Sequence, residues 1–153
     1  MKGRRFLAIA LVAVIGAGAF VAFDGRMAFY SALTEDFAGD VVDAPTAKQM
    51  VDAGDLVLID IRRPDEWERT GVAEGASPLD MRRDDFTDAL AELVAGNRDA
   101  QIAVICARGV RSARLANRLA DAGFTNIIDV PEGMLGSAAG PGWLARDLPV
   151  YKP

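Results

Sequence analysis

Three short apolar runs punctuate this chain: Leu56-Val57-Leu58-Ile59, Ile102-Ala103-Val104-Ile105 and, more weakly, Ile127-Ile128-Asp129-Val130. A strand with one face in water alternates apolar with polar residues, so an unbroken run implies a strand covered on both faces. Helical patterns lie between the runs, at Phe86 to Ala95 and Val110 to Ala122, and a shorter one spans Thr46 to Gly54, with Gly54 as its C-terminal stop. Pro64 sits just inside another helix start that Asp65 and Glu66 open with favourable charge, and Gly123 follows the helix through Ala122 as a C′ residue. Strands alternating with helices predict an α/β fold with a mainly parallel central sheet.

At 153 residues the chain has room for one ordinary domain. Lys2, Arg4 and Arg5 precede an uncharged run of 18 residues, Phe6 to Phe23, which Asp24 ends. A basic start followed by such a run is the pattern of an export signal or a membrane anchor. Its length suits an uncleaved anchor, while Ala17-Gly18-Ala19 offers a cleavage site, and both remain open. The chain therefore divides into a signal or anchor (1–24), a linker or short helix (25–40) and a compact domain (41–153) expected outside the cytoplasm, in the periplasm or an equivalent space. Lys and Arg bias the start of the chain to stay cytoplasmic.

With a net charge of −5 and acidic and basic residues interspersed, no basic block exists that could neutralise a nucleic-acid backbone. One cysteine and no histidine exclude an internal disulfide, the usual metal-ligand sets and any dyad built on imidazole. No metal and no cofactor are expected, and a nucleophile here needs another means of activation.

Cys106 follows directly on the run Ile102 to Ile105, at the carboxyl end of a predicted strand, where ligands of parallel α/β sheets bind. Ala107, Arg108, Gly109, Val110, Arg111 and Ser112 follow and lead into a helix. A strand, a short glycine-containing loop and a helix N-terminus gather unpaired backbone N–H groups and one end of a helix dipole at one spot, which makes an anion site. The same features, with arginines beside them, favour a thiolate over a thiol. Gly109 allows positive φ and close approach of the backbone. Read from the residues alone, Cys106 is either this nucleophile or a small buried apolar residue; Arg108 and Arg111 are either site residues or solvated charges, and Ser112 either a site residue or a helix cap.

The segment Cys106-Ala107-Arg108-Gly109-Val110-Arg111-Ser112 resembles the Cys-x-x-Gly-x-Arg-Ser loop of rhodanese domains. Asp60-Ile61-Arg62 with Glu66-Trp67 resembles that family's Asp-x-Arg and Glu-Trp segment. Gly71 to Ala76 is similar to the Gly-Ala turn that follows it, without the histidine common there. Gly123-Phe124 to Val130, Glu132-Gly133-Met134 and Trp143 to Val150 resemble its last strand and C-terminal ending. The resemblance covers about Val41 to Val150 and departs at Leu135 to Gly142, where Gly, Ala and Pro replace a more compact connection. It implies a three-layer rhodanese-like fold and a sulfurtransferase in which Cys106 takes the outer sulfur of a small anion such as thiosulfate as a persulfide. A thiol or cyanide then accepts that sulfur. By the same resemblance, amides from Ala107 to Ser112 hold the persulfide anion, Arg111 braces the loop, Arg108 faces incoming anions, and Asp60 and Arg62 support the site from behind. Asp60 also reads as a cap for the helix at Pro64, and Trp67 as a core aromatic. A phosphatase-like loop would place its arginine six positions after the cysteine, whereas Arg111 comes five after. A persulfide carrier or redox sensor with little turnover of its own is the competing function.

Overall fold

The computed structural model describes residues 25–153. Residues 25–33 are helical (α1) and lead to β1 (Asp40–Val41), α2 (Ala44–Ala53), β2 (Val57–Asp60), α3 (Pro64–Thr70), β3 (Val72–Ala73), β4 (Ala76–Pro78), α4 (Phe86–Leu93), β5 (Ile102–Ile105), α5 (Val110–Asp121), β6 (Ile127–Asp129) and β7 (Val150–Tyr151). Local chemistry sets the boundaries. The Asp43 side chain accepts from the Thr46 N–H at 2.9 Å to start α2, and Gly54, at φ 79°, ends it by donating to the Val51 carbonyl. Pro64 occupies the first turn of α3, where its missing N–H costs nothing, and Glu66 reaches back to accept from the Arg63 N–H.

Five strands form one parallel sheet in the order β1-β6-β5-β2-β4, while β3 and β7 pair antiparallel beside it. Side chains alternate across the sheet, so each apolar run feeds two cores. Ile59, Ile102, Val104, Cys106 and Ile127 pack with Leu90, Leu115 and Leu119 on the face covered by α4 and α5. Leu58, Ala103, Ile105 and Ile128 pack with Ala44, Ala47, Met134 and Trp143 on the other. This is the mainly parallel α/β sheet that the apolar runs predict, in the three-layer arrangement that the resemblance implies.

Two expectations shift. The first run begins its ladder one residue late and extends to Asp60, because the Asp60 charge is neutralised where the strand ends rather than projecting into the core. Asp60 is not the helix cap: its carboxylate takes the Arg62 guanidinium at 2.9 and 2.7 Å, and both residues are buried. Arg62 also donates to the Thr70 hydroxyl and the Gly71 carbonyl, which fastens the end of α3 to the end of β2.

Ahead of the sheet, residues 25–37 run beside α5. Glu35 pairs with Arg114 at 2.8 Å, Asn117 donates to the Asp36 carbonyl, and Phe37 packs on the α5-side core. Among the described residues no helix is long and apolar enough to cross a membrane. The run Phe6 to Phe23, on which the expected signal or anchor rests, lies outside them.

Breaking a buried ion pair by removing one partner strands the other charge, whereas replacing both with apolar groups is often neutral. Arg62→Met should therefore lower unfolding stability by about 3–5 kcal/mol, and the double variant Asp60→Leu, Arg62→Met should recover most of that loss. Denaturant melts of the three proteins check this; equal loss in the single and double variants would contradict it.

Candidate active site

Cys106 caps the central strand β5 and is 1% exposed. Its carbonyl accepts from the Met134 N–H and that of Ala107 from the Leu135 N–H, at 2.9 Å each, so the loop after β5 lies against the turn after β6. Two glycines make the contact possible. Gly109, at φ 82°, would put a Cβ 2.4 Å from the Pro131 carbonyl oxygen, and Gly133, at φ 65°, would put one 2.6 Å from the Ala107 carbonyl. No side chain fits at either position.

Gly109 heads α5, and its carbonyl takes the Ala113 N–H at 3.1 Å to close the first turn. With the Cys106 and Ala107 carbonyls turned to Met134 and Leu135, no protein acceptor among the described residues takes the N–H groups of Ala107, Arg108, Gly109, Val110, Arg111 or Ser112. Unpaired N–H groups at a helix N-terminus bind anions. The sequence-predicted loop is thus assembled around the end of β5, with a sulfur atom at its base.

The two loop arginines differ. Arg111 is half-buried and makes a two-pronged pair with Glu66 of α3 at 2.8 and 2.7 Å. Glu66 first, and the nearby Cys106 sulfur after it, raise the Arg111 pKa. Partial burial acts to raise the Glu66 carboxyl, but the Arg111 guanidinium and the Arg63 N–H outweigh it and hold Glu66 down at about 2. Arg108 donates to the Gly136 carbonyl at 3.0 Å and lies over the Tyr30 ring, 5.2 Å from its centre. That ties it to α1 and to the Leu135 to Gly142 segment.

Ser112 is fully buried and donates to the Gly109 carbonyl at 3.0 Å; it makes no side-chain cap to the helix amides. Asp60 and Arg62 stand behind the loop as a closed pair. Arg62, Glu66, Arg69, Thr70 and Leu135 line a cleft of about 260 Å³ on the Arg111 side. Among the described residues no cluster of three Cys, Asp or Glu side chains could hold a metal ion.

Two buried acids escape sequence reasoning. Glu132 is 1% exposed and grips Arg146 at 2.9 and 2.8 Å while accepting from the Gly142 and Ala44 N–H groups. It thereby closes the Leu135 to Gly142 segment onto α2 and the C-terminal region. Asp129, at the end of β6, has no arginine partner among the described residues, and burial pushes its carboxyl up to about 6 although the Ser112 hydroxyl and the Val130 N–H oppose the shift. The sole sequence signal for either is an acid within an otherwise apolar run or glycine turn.

The rhodanese-like domain family matches this chain over residues 43–139. Among solved structures, the polysulfide-sulfur transferase homodimer of Wolinella succinogenes is similar over 90% of this chain and 92% of its own, at 22% identity and a TM-score of 0.57. Rv0390 of M. tuberculosis is similar over 77% of this chain and 100% of its own, at 27% identity and a TM-score of 0.58. By sequence, the uncharacterized protein RP600 of Rickettsia prowazekii (strain Madrid E) is 26% identical over 60% of this chain and 80% of its own length. The tRNA uridine(34) hydroxylase of Photorhabdus laumondii is 27% identical over 63% of this chain and 28% of its own.

Glu66 and Asp129 give stability opposite dependences on pH. A carboxyl held at about 2 against an ordinary 4.5 stabilises the fold above about pH 4.5, and that contribution is lost as pH falls through 2. One raised to about 6 from 3.8 favours the fold below pH 3.8, and that contribution is lost as pH rises through 6. Denaturant midpoints measured across pH should peak where the two windows overlap, at about pH 4. Glu66→Gln should flatten the acid arm and Asp129→Asn the arm between pH 4 and 6, and an unchanged profile in either variant would contradict its assignment.

Proposed function

The chain belongs to the rhodanese-like domain family, and from that membership we propose that it transfers sulfane sulfur through a persulfide on Cys106. The Cys106 thiolate attacks the outer sulfur of a donor such as thiosulfate. A new S–S bond forms to Cys106, the donor's S–S bond breaks, and sulfite departs with the electron pair. A thiol or cyanide then attacks the outer sulfur, and the Cys106 thiolate leaves. The observation that carries this reading is the set of N–H groups from Ala107 to Ser112, unpaired among the described residues, around a cysteine at the end of the central strand. Donors fixed where negative charge rests need no reorganisation during the reaction, and this kind of term usually dominates catalysis. Arg111, held by Glu66, keeps a positive charge beside the sulfur and braces the first turn of α5.

A persulfide carrier is the second reading. Its support is that Arg111 already faces a carboxylate and Arg108 a carbonyl and a ring, which leaves less free cationic charge to draw a small dianion than the loop sequence suggests.

Steady-state transfer from thiosulfate to cyanide separates the readings. The wild type should turn over, and Cys106→Ser should have no activity while keeping its fold. Arg108→Ala should raise the thiosulfate KM by roughly tenfold with little change in kcat, the effect of one charge-assisted contact made equally in ground and transition states. An unchanged KM would assign Arg108 to bracing Gly136 alone, and activity in a folded Cys106→Ser protein would remove the thiol from the mechanism.

A further inference from the structure

Beneath the first turn of α5 lies a carboxyl group that the proposed chemistry does not use. Asp129 ends β6 in register with Val104, is 2% exposed, and its Oδ1 has no hydrogen-bond partner among the described residues. Buried carboxylates are ordinarily paired, as Asp60 and Glu132 are here. The ionisable groups on the elements around Asp129 do not neutralise it. Cys106 lies two residues beyond Val104, and Asp40 of β1 is exposed and in register with Ile128. On α5, Arg111 is turned to Glu66 and Arg114 to Glu35.

The Ser112 hydroxyl opposes the upward shift of the Asp129 carboxyl, but its hydrogen bond goes to the Gly109 carbonyl at 3.0 Å, and Asp129 Oδ1 is left unpaired among the described residues. A hydroxyl has one proton to donate. When Asp129 is ionised, its carboxylate and the Gly109 carbonyl compete for that proton, and one buried acceptor goes without. When Asp129 is neutral, its O–H is free to donate to Ser112 Oγ while Ser112 donates to Gly109, so the two acceptors no longer compete for one proton. The Gly109 carbonyl also closes the first turn of α5 through Ala113, so this choice is felt at the end of the loop that surrounds Cys106.

We infer that Asp129 is a positioning residue that, through Ser112, holds the Gly109 end of the amide cradle when it carries its proton and releases it when it does not. The inference rests on the reading of this loop as the sulfur site. Burial raises the Asp129 carboxyl to about 6, which brings both states within reach near neutral pH.

The test uses the full chain as wild type, Asp129→Asn and Ser112→Ala, with 15N–1H spectra and thiosulfate transfer rates recorded from about pH 5 to 8, a range spanning the expected titration. Asn at 129 is nearly isosteric and donates to Ser112 at every pH. The Gly109 and Ala113 amide signals should titrate in the wild type and stay constant in both variants. The Asn variant should match the wild-type rate at the acid end and exceed it by about two- to tenfold at the alkaline end, the worth of one hydrogen bond. Wild-type signals that do not move overturn the inference, and so does a Gly109 titration that survives Ser112→Ala, since the carboxylate would then act through space. Signals that titrate as described in a protein that transfers no sulfur would uphold the relay and remove the sulfur reading instead.

Discussion

The carbonyl oxygens of Cys106 and Ala107 accept from Met134 and Leu135, and this pair of backbone hydrogen bonds holds the loop after β5 against the turn after β6. Its geometry requires glycine at 109 and 133, and it takes away the carbonyls that would otherwise satisfy the amides at the head of α5. A chain without histidine has no imidazole with which to prepare a nucleophile. What it has is a helix start whose N–H groups have no protein acceptor among the described residues, built directly onto the strand that ends in the thiol. Buried β2 and β6 on either side of β5 fix where that strand ends, so the position of the sulfur follows from the packing of the sheet.

Charge around this point is arranged in closed pairs. Arg62 meets Asp60 behind the loop, Arg111 meets Glu66 beside it, and Arg146 meets Glu132 below the Leu135 to Gly142 segment. Each pair joins segments far apart in sequence or fixes the end of an element, and each leaves its arginine oriented rather than free. The loop therefore presents backbone dipoles more than mobile cations to an anion. Asp129 is the exception, a buried acid that answers to a serine.

Much of this architecture is legible in the sequence because its causes are local. The runs at Leu58, Val104 and Ile128 announce buried parallel strands, Gly54 and Pro64 mark helix ends, and Cys106 to Ser112 identify the loop. Strands of two or three residues, such as β1, β3 and β7, carry too few side chains to show a period and exist because a neighbour supplies their ladder. The partners of Glu132 lie at Ala44, Gly142 and Arg146, and Glu66 meets Arg111 across 45 positions. No spacing rule links such residues, and only the folded sheet brings them together. The burial of Asp129 is only faintly signalled, by an acid within the apolar run Ile127 to Val130, since an acid at a strand end normally reads as solvated.

The claim on which the rest depends is that Cys106 holds sulfur as a persulfide within the amide loop. Mass spectrometry of the intact chain after exposure to thiosulfate, followed by peptide mapping, addresses it directly. The account predicts a gain of one sulfur atom, located on the peptide that carries Cys106 and removed again by cyanide. A chain whose mass does not change under these conditions, or whose added sulfur cannot be discharged to any thiol or cyanide, would contradict it.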